Sequence, residues 1–276
     1  MTALLGPWEG ETLRPGFAIK VGREELVMTE SLYGPGQRGP DPHVHYHHSD
    51  AFYVLDGELR VELGGGEDVP APAGTFLLVP PEVVHSFVNP GPGEARFLNL
   101  HAPGMGFEEY LRSGFQAEFD QHDTPPDGGR PASEVIVREP GAGEVLALGP
   151  SQAVVKSGGA DALGSLAVLD TTIAPAFPGL VLHRHEGMLD SFYVLEGSLT
   201  VQLGEERFEA GPGSYAYVPP GSAHSFSNPG DRPVRFLNVI APGGFEGYLR
   251  EVAELGGPPD PAVMAEMATK YDFRAI

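Results

Sequence analysis

The sequence predicts an all-β protein made of two tandem units of barrel or sandwich type, each followed by short helices. Three observations carry that expectation: the chain repeats itself, its apolar runs are strand-sized, and it is rich in turn residues. Laid on itself, "PHVHYHHSDAFYVLDGEL" (42–59) returns as "VLHRHEGMLDSFYVLEGSL" (181–199). "GTFLLVPPEVVHSFVNPG" (74–91) returns as "GSYAYVPPGSAHSFSNPG" (213–230), and "ARFLNLHAPGMGFEEYLR" (95–112) as "VRFLNVIAPGGFEGYLR" (234–250). The offset drifts only from 140 to 139 to 138, so the copies differ by single-residue changes in loops. Upstream the match is weaker, with "EGETL" (9–13) against "AGEVL" (142–146) and "IKVG" against "VKSG".

This period is too long for a solenoid, so each copy is expected to be a domain with its own core. The junction is expected in "DQHDTPPDGGRPAS" (120–133), a polar stretch rich in proline and glycine. The predicted boundaries are 1–122 for the first unit, 123–133 for a linker and 134–276 for the second. Within a copy, "FAIKVG", "ELVMTES", "AFYVLDGELRVEL", "TFLLVP", "HSFVN" and "ARFLNL" read as short strands separated by turn residues. Each copy then turns helical, in "GFEEYLRSGFQAEF" and "GFEGYLREVAEL", where apolar residues recur at three and four. A last helix is predicted in "DPAVMAEMATKY" after Pro258 and Pro259, with Asp260 as N-cap and Pro261 in the first helical position.

Glycine and proline together supply 38 and 28 of the 276 residues, as a chain of short strands and tight turns requires. No apolar run nears the length of a membrane span, and "MTALLGPWEGETLRPG" lacks the basic start and apolar core of a secretory signal, which implies a soluble cytoplasmic protein. There is no cysteine, so disulfides, thiolate ligands and a cysteine nucleophile are excluded, and any metal must be held by nitrogen and oxygen. A net charge of −21 argues against nucleic acid or an anionic membrane as partner. The glycine run in "GGGEDVPAPAG" lacks the Lys-Ser/Thr of a phosphate loop.

The chemistry concentrates in histidines. On an extended strand alternate side chains share a face, so His43 pairs with His45, and His183 with His185. His85 and His224 each follow a "VPP" and precede an asparagine by four. Neutral histidines on strands suit first-row metals from manganese to zinc, and a carboxylate beside them leaves positions open for substrate or oxygen. A barrel lined by hydrogen-bonded histidines around a metal-free organic ligand is the alternative.

Both copies resemble cupins, whose first motif reads G(X)5HXH(X)3,4E(X)6G and whose second reads G(X)5PXG(X)2H(X)3N. The first copy matches with His43, His45, Asp50 in place of glutamate, and Gly57, then Gly74, Pro80, His85 and Asn89. The second matches with His183, His185, Asp190 again in place of glutamate, and Gly197, then Gly213, Pro219, Gly221, His224 and Asn228. The tails "FLNxxAPG", "GFEEYLR" and "YDF" look most like the quercetin 2,3-dioxygenase-like branch. The resemblance implies two double-stranded β-helix, jelly-roll barrels in one chain, a bicupin. It also implies a divalent transition metal (iron, manganese, nickel, cobalt, copper or zinc), ligated by His43, His45, Asp50 and His85, and by His183, His185, Asp190 and His224.

Three departures qualify the match. Glu82 replaces a motif glycine in the first copy, the leading glycine of the first motif is displaced in both, and aspartate is one methylene shorter than glutamate. Either Asp50 and Asp190 reach the ion, or three histidines bind it and the aspartates orient a water or a histidine; as simple turn formers they would do neither. His47 and His48 have no counterparts in the second copy and are expected to be incidental, His47 as an exposed loop residue rather than a fifth ligand or proton shuttle. Asn89 and Asn228 read as turn residues, and the pairs Phe52–Tyr53 and Phe192–Tyr193 as core. Tyr215 and Tyr217 add hydroxyls to the second copy that would mark its pocket if only that one were catalytic.

The resemblance implies an oxygenase acting on a small aromatic or enolic compound, with Asp50 or Asp190 as the base. The alternatives are a non-catalytic bicupin binding a small metabolite or metal, which the shortened carboxylates favour, and a metal-dependent decarboxylase or isomerase. A small-molecule partner and a monomer or homodimer are expected.

Overall fold

The computed structural model describes residues 4–256 and 260–276. It divides into two compact units, one of Gly10–Ala142 and one of Gly143–Ile276 together with the N-terminal segment ending at Glu9. Each unit is a jelly roll of two antiparallel sheets, as the all-β tandem reading predicts.

In the first unit a seven-stranded sheet runs in the order Ile136–Arg138, Phe76–Val79, Ser49–Asp56, Ala95–Ala102, Val27–Tyr33, Phe17–Gly22, Glu11–Arg14. A five-stranded sheet runs His122–Asp123, His43–Val44, His85–Val88, Glu58–Leu63, Glu67–Pro72. Inward residues of both sheets, Phe52, Val54, Leu59, Val61, Phe87 and Phe97 among them, form one buried cluster. Burying such a side chain contributes about 1.5–3 kcal/mol, so this interface between sheets dominates the stability of the unit. The second unit repeats the plan, with Phe192, Val194, Leu199, Val201, Phe226 and Phe236 at the matching places.

The unit boundaries differ from the predicted ones at both ends. Ile136–Arg138, expected in the second barrel, pairs antiparallel with Phe76–Val79 and lays Val137 on the first core. Leu4–Leu5, expected in the first barrel, pairs with Tyr215–Val218 and lays Leu4 on the second core. Each short strand covers an edge that would otherwise present unpaired backbone groups and an apolar rim. The predicted linker is also tied down: Asp123 pairs with His43, Gly129 bridges Val83, and the Arg130 N–H donates to Glu82 O at 2.9 Å.

Among the described residues three helices form: α1 (Phe107–Arg112), α2 (Glu246–Leu255) and α3 (Pro261–Lys270). Helix α1 stops short of its predicted stretch because Ser113 and Gly114 end it. The Ser113 Oγ accepts from the amides of Gln116 and Ala117, and Gly114 turns left-handed at φ 69°. The second copy has Glu and Val there and α2 continues. Helix α3 begins as predicted, with the Asp260 carboxylate accepting from the Ala262 amide at 2.8 Å and Pro261 first in the helix; Pro258 and Pro259 lie outside the described residues.

Glu82 sits at φ 69° where its counterpart Gly221 sits at 78°, so the first copy bears backbone strain that glycine avoids. The geometry is kept because this turn holds the histidine strand: the Glu82 amide donates to His45 O at 2.7 Å, as that of Gly221 does to His185 O at 2.6 Å. Asn89 and Asn228 knit the turns expected of them, Asn89 donating to Tyr33 O and Gly34 O at 3.0 Å.

Candidate metal centres

The first-copy residues His43, His45, Asp50 and His85 converge inside one barrel and are all buried. His43 pairs directly with His85 across neighbouring strands, and Asp50 enters from the facing sheet within Ser49–Asp56. Asp50 is therefore a strand residue, not a turn former. The ring centres of His43, His45 and His85 are 4.4 to 5.1 Å apart.

Each of these histidines donates Nδ1–H to a backbone carbonyl: His43 to Asp41 at 2.8 Å, His45 to Asp120 at 2.5 Å and His85 to Val83 at 3.0 Å. The tautomer is thereby fixed, and every Nε2 lone pair faces the interior. His85 Nε2 lies 3.3 Å from Asp50 Oδ2, and His45 Nε2 lies 3.9 Å from the same oxygen with no hydrogen-bond partner in the described structure. Lone pairs facing a carboxylate in a buried site call for a cation between them. Two ligand atoms each about 2.1 Å from one ion and roughly at right angles stand about 3 Å apart, so the spacing is one that a shared metal would fit, with the shorter aspartate beside it.

The second copy repeats this arrangement with His183, His185, His224 and Asp190, all buried. Their Nδ1–H groups go to Val181 O (2.9 Å), Asp272 O (2.7 Å) and Ser222 O (3.0 Å), and His224 Nε2 lies 3.2 Å from Asp190 Oδ2. Among the described residues each triad forms a cluster able to hold an ion. The chemistry of both donor sets, three neutral imidazoles and a carboxylate without sulfur, suits a divalent first-row metal.

Burial, with the charge of His85 adding to it, pushes His43 down to about 4, and burial with His224 does the same to His183. Burial alone opposes ionisation of Asp50, but His101 and His85 outweigh it and hold the carboxyl below its usual range. Both histidines are thus neutral at pH 7, as metal ligation requires. The folded state binds their protons less readily than the unfolded chain, so stability is present above pH 6.5 and lost as pH falls toward about 4. The metal-free protein is expected to lose on the order of 1 kcal/mol per pH unit for each of the two within that window. Urea unfolding at pH 7 and pH 5 measures this, and an unchanged midpoint contradicts it.

Sequence reasoning missed a second layer. Asn99 donates from Nδ2 to Asp50 Oδ1, and Asn238 does so to Asp190 Oδ1; both stand in "FLN", which recurs in the two copies and was the available signal. Asp120 accepts the amides of Tyr46 and His47, as Asp272 accepts those of Glu186 and Gly187. Each pins the loop that follows the paired histidines.

His47 is exposed as expected, but His48 is not incidental. His48 is buried, with Nδ1 3.0 Å from Asp120 Oδ2 and Nε2 2.9 Å from His101 Nδ1. His101 Nε2 in turn lies 2.9 Å from Asn99 Oδ1 and 3.6 Å from Asp50 Oδ1. The two rings thus link Asp120 to Asn99 through one run of hydrogen bonds. Burial pushes His101 down to about 3, so its ring is neutral at pH 7. In the second copy Met188 and Ile240 stand at these places, so this hydrogen-bonded pair belongs to the first barrel alone.

The barrels also differ in open space. In the first unit a cavity of about 330 Å³ reaches His43 and Asp50, between aromatic walls that include Phe17, Tyr33, Phe97, Phe107 and Tyr110. In the second unit Phe273 stacks on His183 at 4.5 Å and Phe245 lies 4.8 Å from His185; Gln121, which follows Asp120 as Phe273 follows Asp272, leaves the matching place open in the first. Of Tyr215 and Tyr217, which would mark the second pocket if only that one were catalytic, Tyr215 is buried in the barrel wall opposite Tyr193, three rungs from Asp190, and Tyr217 is half-buried.

A family model of the cupin domain matches residues 30–101 and again 170–240. Quercetin 2,3-dioxygenase of Bacillus subtilis is 24% identical over 92% of this chain and 86% of its own. Among solved structures, AerE from Microcystis aeruginosa superposes with TM-score 0.59 at 14% identity, over 87% of this chain and 99% of that one. Bacillus subtilis oxalate decarboxylase, a structure concerned with its Mn(II) centres, gives 0.55 at 16% identity over 88% and 75%. No described helix is long and apolar enough to cross a membrane. With both motif sets folded into matching jelly rolls and both copies matched by the family, this chain belongs to the cupins, as a bicupin.

Proposed function

We propose that this bicupin is a metal-dependent dioxygenase of the cytoplasm, acting in its first barrel on a small aromatic or enolic compound. The observation that carries this reading is the aromatic-walled cavity that ends on His43 and Asp50. His43, His45, His85 and Asp50 would hold the ion, as His183, His185, His224 and Asp190 would in the second barrel. The metal, when bound, supplies Lewis acidity and open coordination positions for substrate and dioxygen.

The chain's own residues do the rest. Asn99 holds Oδ1 of Asp50, leaving Oδ2 to accept the proton of a substrate hydroxyl. Against the cost of burial, His101 and His85 hold the Asp50 carboxyl below its usual range, so it is ionised until that transfer. Phe97, Phe107 and Tyr33 orient a flat substrate and exclude water from the enolate, which would otherwise be reprotonated. Metal-loaded protein is expected to consume oxygen with flavonols or diketones; no uptake with either class overturns this reading.

A second reading applies to the second barrel. Phe273 stacks on His183 where the first barrel has Gln121, which favours a metal kept there for stability rather than turnover.

A further inference from the structure

The first barrel's cavity departs from the acidic balance of the chain. The sequence carries 38 acidic against 17 basic residues, yet this wall holds Arg14, Arg38 and one carboxylate, Asp50, which faces histidines. Arg38 is neutralised, since its guanidinium pairs with both oxygens of Glu62. Arg14 makes no ion pair among the described residues. It sits exposed at the lip, its guanidinium carbon 5.2 Å above the ring centre of Phe17. Resting on an aromatic face occupies none of its five N–H donors, which stay free for a planar anion.

Register gives the span. Asp50 pairs with His101, while Phe97, four residues back on the same strand, pairs with Ser31, which pairs with Phe17 beside Arg14. Four strand residues cover about 13 Å. Between the two ends the wall is aromatic, with Tyr33 edge-on to Phe97 at 5.0 Å and Phe87 edge-on to Phe97 at 5.7 Å. In the second copy Ala147 and Ile173 stand where the first has Arg14 and Tyr33.

We propose that Arg14 makes this cavity selective for planar aromatic anions, molecules of about two or three rings with a phenolic or enolic oxygen at the Asp50 end and a carboxylate at the Arg14 end. This assignment rests on reading the cavity as the substrate site. The probes are a hydroxynaphthoate with hydroxyl and carboxylate at opposite ends of the ring system, and its methyl ester, titrated calorimetrically into the full chain. The wild type is expected to bind the acid about tenfold tighter than the ester, with the preference shrinking as salt rises. Arg14→Ala should abolish the preference while leaving ester affinity unchanged, and Arg14→Glu should reverse it. No preference in the wild type, or equal weakening of acid and ester in Arg14→Ala, overturns the proposal. Oxygen uptake run in parallel separates the two readings: preference without uptake on any substrate sinks the dioxygenase and keeps the ligand, whereas uptake indifferent to carboxylate and to Arg14 does the reverse.

Discussion

Asp50→Asn should lower kcat by about 10²–10⁴-fold, the usual contribution of a general base, while Asp190→Asn leaves turnover unchanged. Asparagine keeps the shape and can still accept from Asn99 through its Oδ1, but its amide nitrogen replaces the Oδ2 that faces the histidines, so metal content separates loss of the proton acceptor from loss of a ligand. Asp50→Glu sharpens the test. Asn99, His85 and His101 already stand within 3.6 Å of the carboxylate, so an added methylene must displace it by over about 1 Å. A misplacement of that size costs about 10²-fold. Oxygen uptake alongside metal content reads both variants, and a fully active Asp50→Glu would show that the short side chain is not what the site requires.

His85→Ala should remove the ion of the first barrel and all turnover with it. Loss of one of three nitrogen ligands exceeds the 10–100-fold that loss of a ligand's supporting partner costs, and it leaves Asp50 facing an incomplete donor set. His224→Ala should remove the other ion, lower the melting temperature and leave oxygen uptake in place. Equilibrium dialysis against Mn(II) followed by metal analysis counts ions in each variant. Equal loss of turnover in both would place chemistry in both barrels.

Much of the site was legible because the sequence states it twice. His43, His45 and Asp50 stand out against their neighbours only when His183, His185 and Asp190 are laid beneath them, and local alternation then puts each histidine pair on one face. What repetition could not show is what differs between copies. His48 and His101 have no counterparts, lie 53 residues apart, and meet only because the strand carrying His101 pairs with the one carrying Asp50. Asp120 and Asp272 do the same work but fall out of register, because α3 is inserted ahead of the second. The edge strands were misassigned for a related reason: nothing local in "LL" or "IVR" says which apolar rim it will cover.

The pairing of Leu4–Leu5 with Tyr215–Val218 has a consequence for synthesis on the ribosome. About 210 residues separate Leu5 from Tyr215, which at 5–20 residues per second is a delay of roughly 10–40 s. During that interval the first barrel can close around its own strands, while the leading segment waits for an edge not yet made. Leu4 and Leu5 are thus among the last residues to be placed, and a bulky group attached just ahead of them is poised to act on the barrel farthest from it in sequence.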